Sequence, residues 1–180
     1  MRHVWFVLLP LLVFLASCEN DPVEVNEVTK RDTLPMITTQ NVDLLYTDSA
    51  RLKTHLTAPL AEDYSGMIPK QVFPSGVYLR FYDDKGTVNS SLKADYAERR
   101  EKEGLMTAKR NVIVVNVKGE QLNTEKLVFD ERKRKIYTDA FVKITTAEQV
   151  IMGNGFESDF TFTNYEIKDI TGTIMLNEQE

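Results

Sequence analysis

Reactive side chains are scarce in this chain: one Cys, two His and dispersed carboxylates across 180 residues. A lone Cys makes no intramolecular disulfide and no Cys-rich zinc site. His55 sits in an alternating run, Ser49 to Ala58, on the face shared with Arg51 and Lys53, and no Gly-x-Ser-x-Gly elbow accompanies it. It reads as a solvent-facing strand residue. Glu157 and Asp159 form a carboxylate pair of the kind a glycosidase uses, but strand alternation sets them side by side on an outer face without an activating neighbour. Gly153-Asn154-Gly155 lacks the third glycine and the βαβ setting of a dinucleotide loop, so a β-bulge is expected there. Arg132, Lys133, Arg134 and Lys135 crowd one turn, as a solvated hairpin tip or as a contact for phosphates of a glycolipid or lipid head group. A formal charge of −5 and a pI near 5.2 speak against nucleic acid. No catalytic residue, metal or cofactor is expected, and the chain does not read as an enzyme.

The one Cys has a different chemistry open to it. Cys18 follows an apolar run from Val4 to Leu15, with Arg2 ahead of the run and the small residues Ala16 and Ser17 behind it. Such a run is short for a bilayer span and has the layout of a secretory signal. Leu15-Ala16-Ser17-Cys18 resembles the bacterial lipobox, in which the thiol is acylated and cleavage leaves it as the first mature residue. The expected organisation is a signal peptide at 1–17, a lipidated Cys18 with a tether at 18–40, a folded domain at 41–176 and a polar tail at 177–180. As a coil that tether reaches roughly 25 Å, and fully stretched roughly 75 Å.

The remaining elements read as strands. From Val42 on, apolar side chains alternate with polar ones in short runs bounded by Gly, Asp, Asn and Lys turns. One pattern recurs with openings at Leu92, Leu122 and Ile151, roughly thirty residues apart. Each opening run is followed by a second apolar run: Asn111 to Val115, Ala140 to Ile144 and Tyr165 to Ile170. That describes stacked hairpins, each burying its apolar face against the next. Pro59 to Gly76 breaks the alternation and is expected to be an irregular excursion. No window shows helical periodicity, so the domain is expected to be all-β.

Several stretches, in order, carry a family resemblance: the lipobox; Ala58-Pro59-Leu60; Phe73-Pro-Ser-Gly-Val77 before Arg80-Phe-Tyr-Asp83; Leu92-Lys-Ala-Asp-Tyr-Ala97; Arg110-Asn-Val112; Gly119-Glu-Gln-Leu-Asn-Thr124; Tyr137-Thr-Asp139; and Met152-Gly-Asn-Gly-Phe-Glu-Ser-Asp159. From Val42 to Ile174 the chain resembles the LptC family, the membrane-anchored periplasmic components of the lipopolysaccharide-export ABC transporter, which share a fold with the soluble bridge protein LptA. The departure is the lipobox, where familiar enterobacterial members have an uncleaved transmembrane helix.

The resemblance implies an open V-shaped antiparallel β-jellyroll, lipid-anchored on the periplasmic face of the inner membrane, whose unfilled interior receives the acyl chains of lipopolysaccharide. Alternation supplies the candidate lining. Its first half is Leu52, Leu56, Val77, Leu79, Phe81, Leu92, Val112 and Val114; its second is Leu122, Leu127, Phe129, Ile136, Val142, Ile144, Phe160 and Phe162. A bulge near Gly153 reverses the parity of everything beyond it. The open sheet edges are implied docking sites: the edge near Asp43 to Thr57 for the permease subunits, and an edge strand with Thr161, Thr163, Tyr165 and Ile167 for an LptA-like bridge protein. Proline at Thr161 or Thr163 is expected to break the second contact. An interior packed solid by its own residues would instead suit a structural or adaptor lipoprotein without cargo.

Overall fold

The computed structural model describes residues 34–66 and 68–176. The signal segment, Cys18, most of the expected tether and the tail lie outside the described residues.

Twelve strands form one antiparallel sheet: β1 (Ile37–Asp48), β2 (Arg51–Tyr64), β3 (Lys70–Phe73), β4 (Val77–Tyr82), β5 (Val88–Ala94), β6 (Tyr96–Arg100), β7 (Leu105–Asn116), β8 (Gln121–Asp130), β9 (Lys135–Thr145), β10 (Gln149–Ser158), β11 (Tyr165–Ile167) and β12 (Ile170–Met175). A single 3-10 turn, Glu101–Glu103, precedes β7. The long strands change neighbours halfway along. β2 pairs with β4 over Thr54–Thr57 and with β3 over Glu62–Tyr64. β7 pairs with β6 over Leu105–Lys109 and with β5 over Ile113–Asn116, and β10 pairs with β12 over its first half and with β11 over its second.

The breaks line up across the sheet. Arg110 and Asn111 interrupt β7 with φ of 63° and 50°, Gly155 interrupts β10 at 93°, and Asp169 parts β11 from β12 at 43°. The β8–β9 ladder skips from Thr124 to Val128, and Asp95, between β5 and β6, donates its N–H to Arg110 O at 3.0 Å. Bulges add local bend and twist, so an aligned row of them folds the sheet into two facing layers, consistent with a β-jellyroll. One layer holds β4, β5 and β12, the other β3, β6 and β11; β1, β2, β7, β8, β9 and β10 run through both. The sequence repeat has its explanation here. Leu56, Leu79, Leu92, Val114, Leu122, Ile144 and Ile151 pair strand to strand in one row of the first layer, so Leu92, Leu122 and Ile151 mark every second member of that row, with Val114 and Ile144 between them.

Three expectations need correction. β1 starts at Ile37, before the expected boundary, and takes in the end of the expected tether. β2 passes straight through Pro59, and β3 lies inside the expected irregular stretch. Pro59 is tolerated because neither flanking ladder uses it: β4 stops at Thr57, β3 begins at Glu62, and on the β1 side Asn41 is skipped, its φ 52°. Lastly, Phe160, Thr161, Phe162 and Thr163 are not in a strand; they belong to the turn joining β10 to β11.

Candidate functional site

The space between the layers collects the side chains that alternation put on one face. Of the expected lining, Val77, Leu79, Leu92, Val112, Val114, Leu122, Leu127, Phe129, Ile136, Val142, Ile144 and Phe162 are buried in one continuous cluster. Leu56, Phe81 and Phe160 are partly buried against it. Leu52, also partly buried, is outside that cluster, near the outer end of β2.

The layers meet through rings. Phe81 of the first layer stacks on Phe129 of the second at 6.0 Å between centroids, and Phe162 lies 6.3 Å from one and 6.2 Å from the other. Such spacing is that of mutually attractive aromatic pairs. The triad stands at the ends of the strands farthest from the fold line, across the mouth between the layers. Behind it, Val114, Leu122, Ile144, Phe156, Phe162 and Tyr165 help to line a small, partly open pocket of about 20 Å³, room for about one water. The expectation of an unfilled wall therefore does not hold there: the chain's own side chains occupy it.

Sequence reasoning missed Phe73, Ala97, Ala108 and Phe156, all nearly or fully inaccessible. Phe156 was hidden by the bulge, because alternation counted through Gly153 and Gly155 gives the wrong face. Gly155 at φ 93° was the available signal. Gly153 is glycine for a different reason: a Cβ there would sit 2.6 Å from Lys168 O.

The other candidate groups are tied into the fold. His55 Nε2 is 2.6 Å from Asp43 Oδ1, across the β1–β2 ladder on the outer surface. Glu157 bonds Lys135 and has Lys168 Nζ at 3.5 Å; the Lys135 hydrogen bond, then its charge, lowers the Glu157 carboxyl. Burial pushes Asp159 up, but hydrogen bonds from Thr161 and Asn164 outweigh it and leave the carboxyl low. Both are held as carboxylates, the wrong state for a general acid. In the basic turn, Lys133 bonds Asp130, Arg132 reaches Lys102 O and Lys135 reaches Glu157, an arrangement that suits the solvated tip. Among the described residues there is no cluster of three His, Cys, Asp or Glu able to hold a metal, and no helix long and apolar enough to cross a membrane.

The expected partner edge is rearranged. Thr161 N–H bonds Asp159 Oδ1 at 2.9 Å and Thr163 N–H points at Thr161 Oγ1, so neither is free for a partner strand. Tyr165 and Ile167 are on β11, which among the described residues pairs only with β10, and they pack against the cluster. At the opposite end, among the described residues, β1 pairs only with β2, and every β1 residue except Val42 is exposed.

A folded antiparallel sheet with an apolar interior and, among the described residues, one open edge on the strands at either end defines an all-β, jellyroll-type domain. A family model described as "Lipopolysaccharide-assembly, LptC-related" matches residues 4–174, nearly the whole chain, and the protein belongs to the LptC family. Its role is in lipopolysaccharide transport, as part of an export machinery associated with the inner membrane and periplasm. No curated protein matches the sequence.

Proposed function

We propose that this protein is a lipid-anchored periplasmic station of lipopolysaccharide export. It takes acyl chains from the inner-membrane ABC transporter between its two layers and passes them to an LptA-like bridge protein. The observation that carries this reading is the continuous apolar interior of a family member, running across the sheet from β2 to β10 with aromatic rings at its mouth. Sheathing is worth a great deal: at about 0.8 kcal/mol per methylene, a chain of a dozen carbons gains roughly 10 kcal/mol by leaving water. The exposed strand β1, with Leu44, Leu45 and Tyr46 in the open, suits the permease side, and β11 and β12 suit the bridge side by strand addition. Acylation of Cys18 holds the domain at the membrane surface.

The filled interior favours a second reading, an adaptor that joins its partners edge to edge and carries no lipid. A photo-crosslinking residue at Leu79 or Val114, both buried, separates the two in cells, with exposed Lys93 on the outer face as control. Transport requires lipopolysaccharide adducts at the inner positions and not at Lys93. Adducts with neighbouring proteins alone, at every position, would leave the adaptor.

A further inference from the structure

The mouth between the layers is sealed by Phe162, and the seal is built differently from the core behind it. The ring comes from a turn, at φ 55°, a region that strains bulky side chains, yet it is 3% exposed. Its segment is joined to the far layer by a single hydrogen bond, from Asn116 Nδ2 to Phe162 O at 3.1 Å. Within the segment Asp159 accepts from Thr161 and Asn164, and Thr161 meets Thr163; Ser158, the last residue of β10, donates to Asn164 O and ties the two ends of the segment together at its base. The segment can therefore pivot about the Ser158–Asn164 base as a unit without losing its internal bonds. Nor is Asn116 left unpaired when it goes, because the same Nδ2 donates to Glu120 Oε2 at 2.7 Å. Beneath the seal, Ser90, paired in the ladders with Phe81 and Asn116, has a buried hydroxyl with no partner.

We propose that Asp159–Asn164 is a strap whose Phe162 ring stands in for cargo. It closes the mouth while the interior is unloaded and swings out when an acyl chain takes the space among Phe81, Phe129, Val114, Leu122 and Phe156. What replaces the ring rests on the transport reading; the opening itself does not.

The test is thiol alkylation of the full chain in membrane vesicles, read peptide by peptide by mass spectrometry. Leu122→Cys reports the space under the strap and Leu127→Cys the core. The strap requires Leu122→Cys to react several-fold faster than Leu127→Cys, and Phe162→Ala to raise the first rate about tenfold while leaving the second unchanged. Equal acceleration of both would make Phe162 an ordinary core residue, and no acceleration of either would deny it any control of access; each result overturns the strap. Purified lipopolysaccharide added to the Phe162→Ala protein should then slow alkylation at Leu122→Cys. If the ring controls access but lipopolysaccharide gives no protection, the strap stands and the transport reading falls.

Discussion

The interior and the ends of the sheet are made from the same alternating strands, yet they differ in what each strand lacks. Leu127 on β8 is laddered to Ala108 of β7, lies inside the ends of the β8–β9 ladder, and is completely buried among side chains of the cluster. β1 has a long ladder to β2 and, among the described residues, no strand on its other edge, so the backbone groups on that edge and nearly all of its side chains are exposed. Burial is what stabilises a fold, whereas unpaired N–H and C=O groups are what a partner strand recognises. Stability and partnership are thus placed in separate parts of one sheet. Changing one should leave the other largely untouched.

The largest effect belongs to the interior. Leu127→Ala removes a side chain that is 0% exposed and should cost about 3 kcal/mol in urea unfolding followed by circular dichroism. A loss under about 1 kcal/mol would mean that the layers are not tightly packed and that the contrast fails. The edge is the converse. Leu176 N–H points to Glu148 O on the β10 side, and β12 registers Met175 opposite Gln149, so alternation turns the N–H of Thr173 to the open edge. Thr173→Pro should weaken capture of an LptA-like protein about tenfold or more, with stability changed by less than about 1 kcal/mol. Undiminished capture would move the bridge contact off β12.

The same division decides what the sequence made legible. The row from Leu56 to Ile144 was readable because each strand alternates cleanly and its turns carry Asp, Gly or Lys. Small interior residues such as Ala97 and Ala108 give no such signal: alanine is at home on either face, and only a close neighbouring layer excludes water from it. The bulge was anticipated at Gly153 and Gly155, but its consequence for Phe156 depends on which residue is looped out, which register settles and composition does not. The turn at Asp159–Asn164 was misread as strand for a similar reason. Phe160, Thr161, Phe162 and Thr163 have strand propensity, and the local hydrogen bonds of Asp159 override it. Edge strands are still harder to read, because an unpaired side leaves no mark on side-chain pattern.

Acid should loosen the strap before the core, which is the finest distinction the comparison allows. Burial raises the Asp159 carboxyl, but Thr161 and Asn164 hold the ionised form and the net shift is downward. A carboxyl lowered by folding contributes its stabilisation in full above the ordinary value, about 4, and loses it as pH falls through the folded value. The turn should therefore be intact at neutral pH and loosen only below about 4. Glu157, lowered by Lys135, titrates in the same direction but acts on the outer face of β9 and β10, away from the ring. Hydrogen exchange of the full chain can tell them apart: protection of the Thr161–Asn164 amides, relative to the Leu127 amide, should decline across that acid range, and Asp159→Asn should flatten the decline. Loss of protection at both places together, at a single pH, would mean that the turn has no stability of its own and belongs with the core it covers.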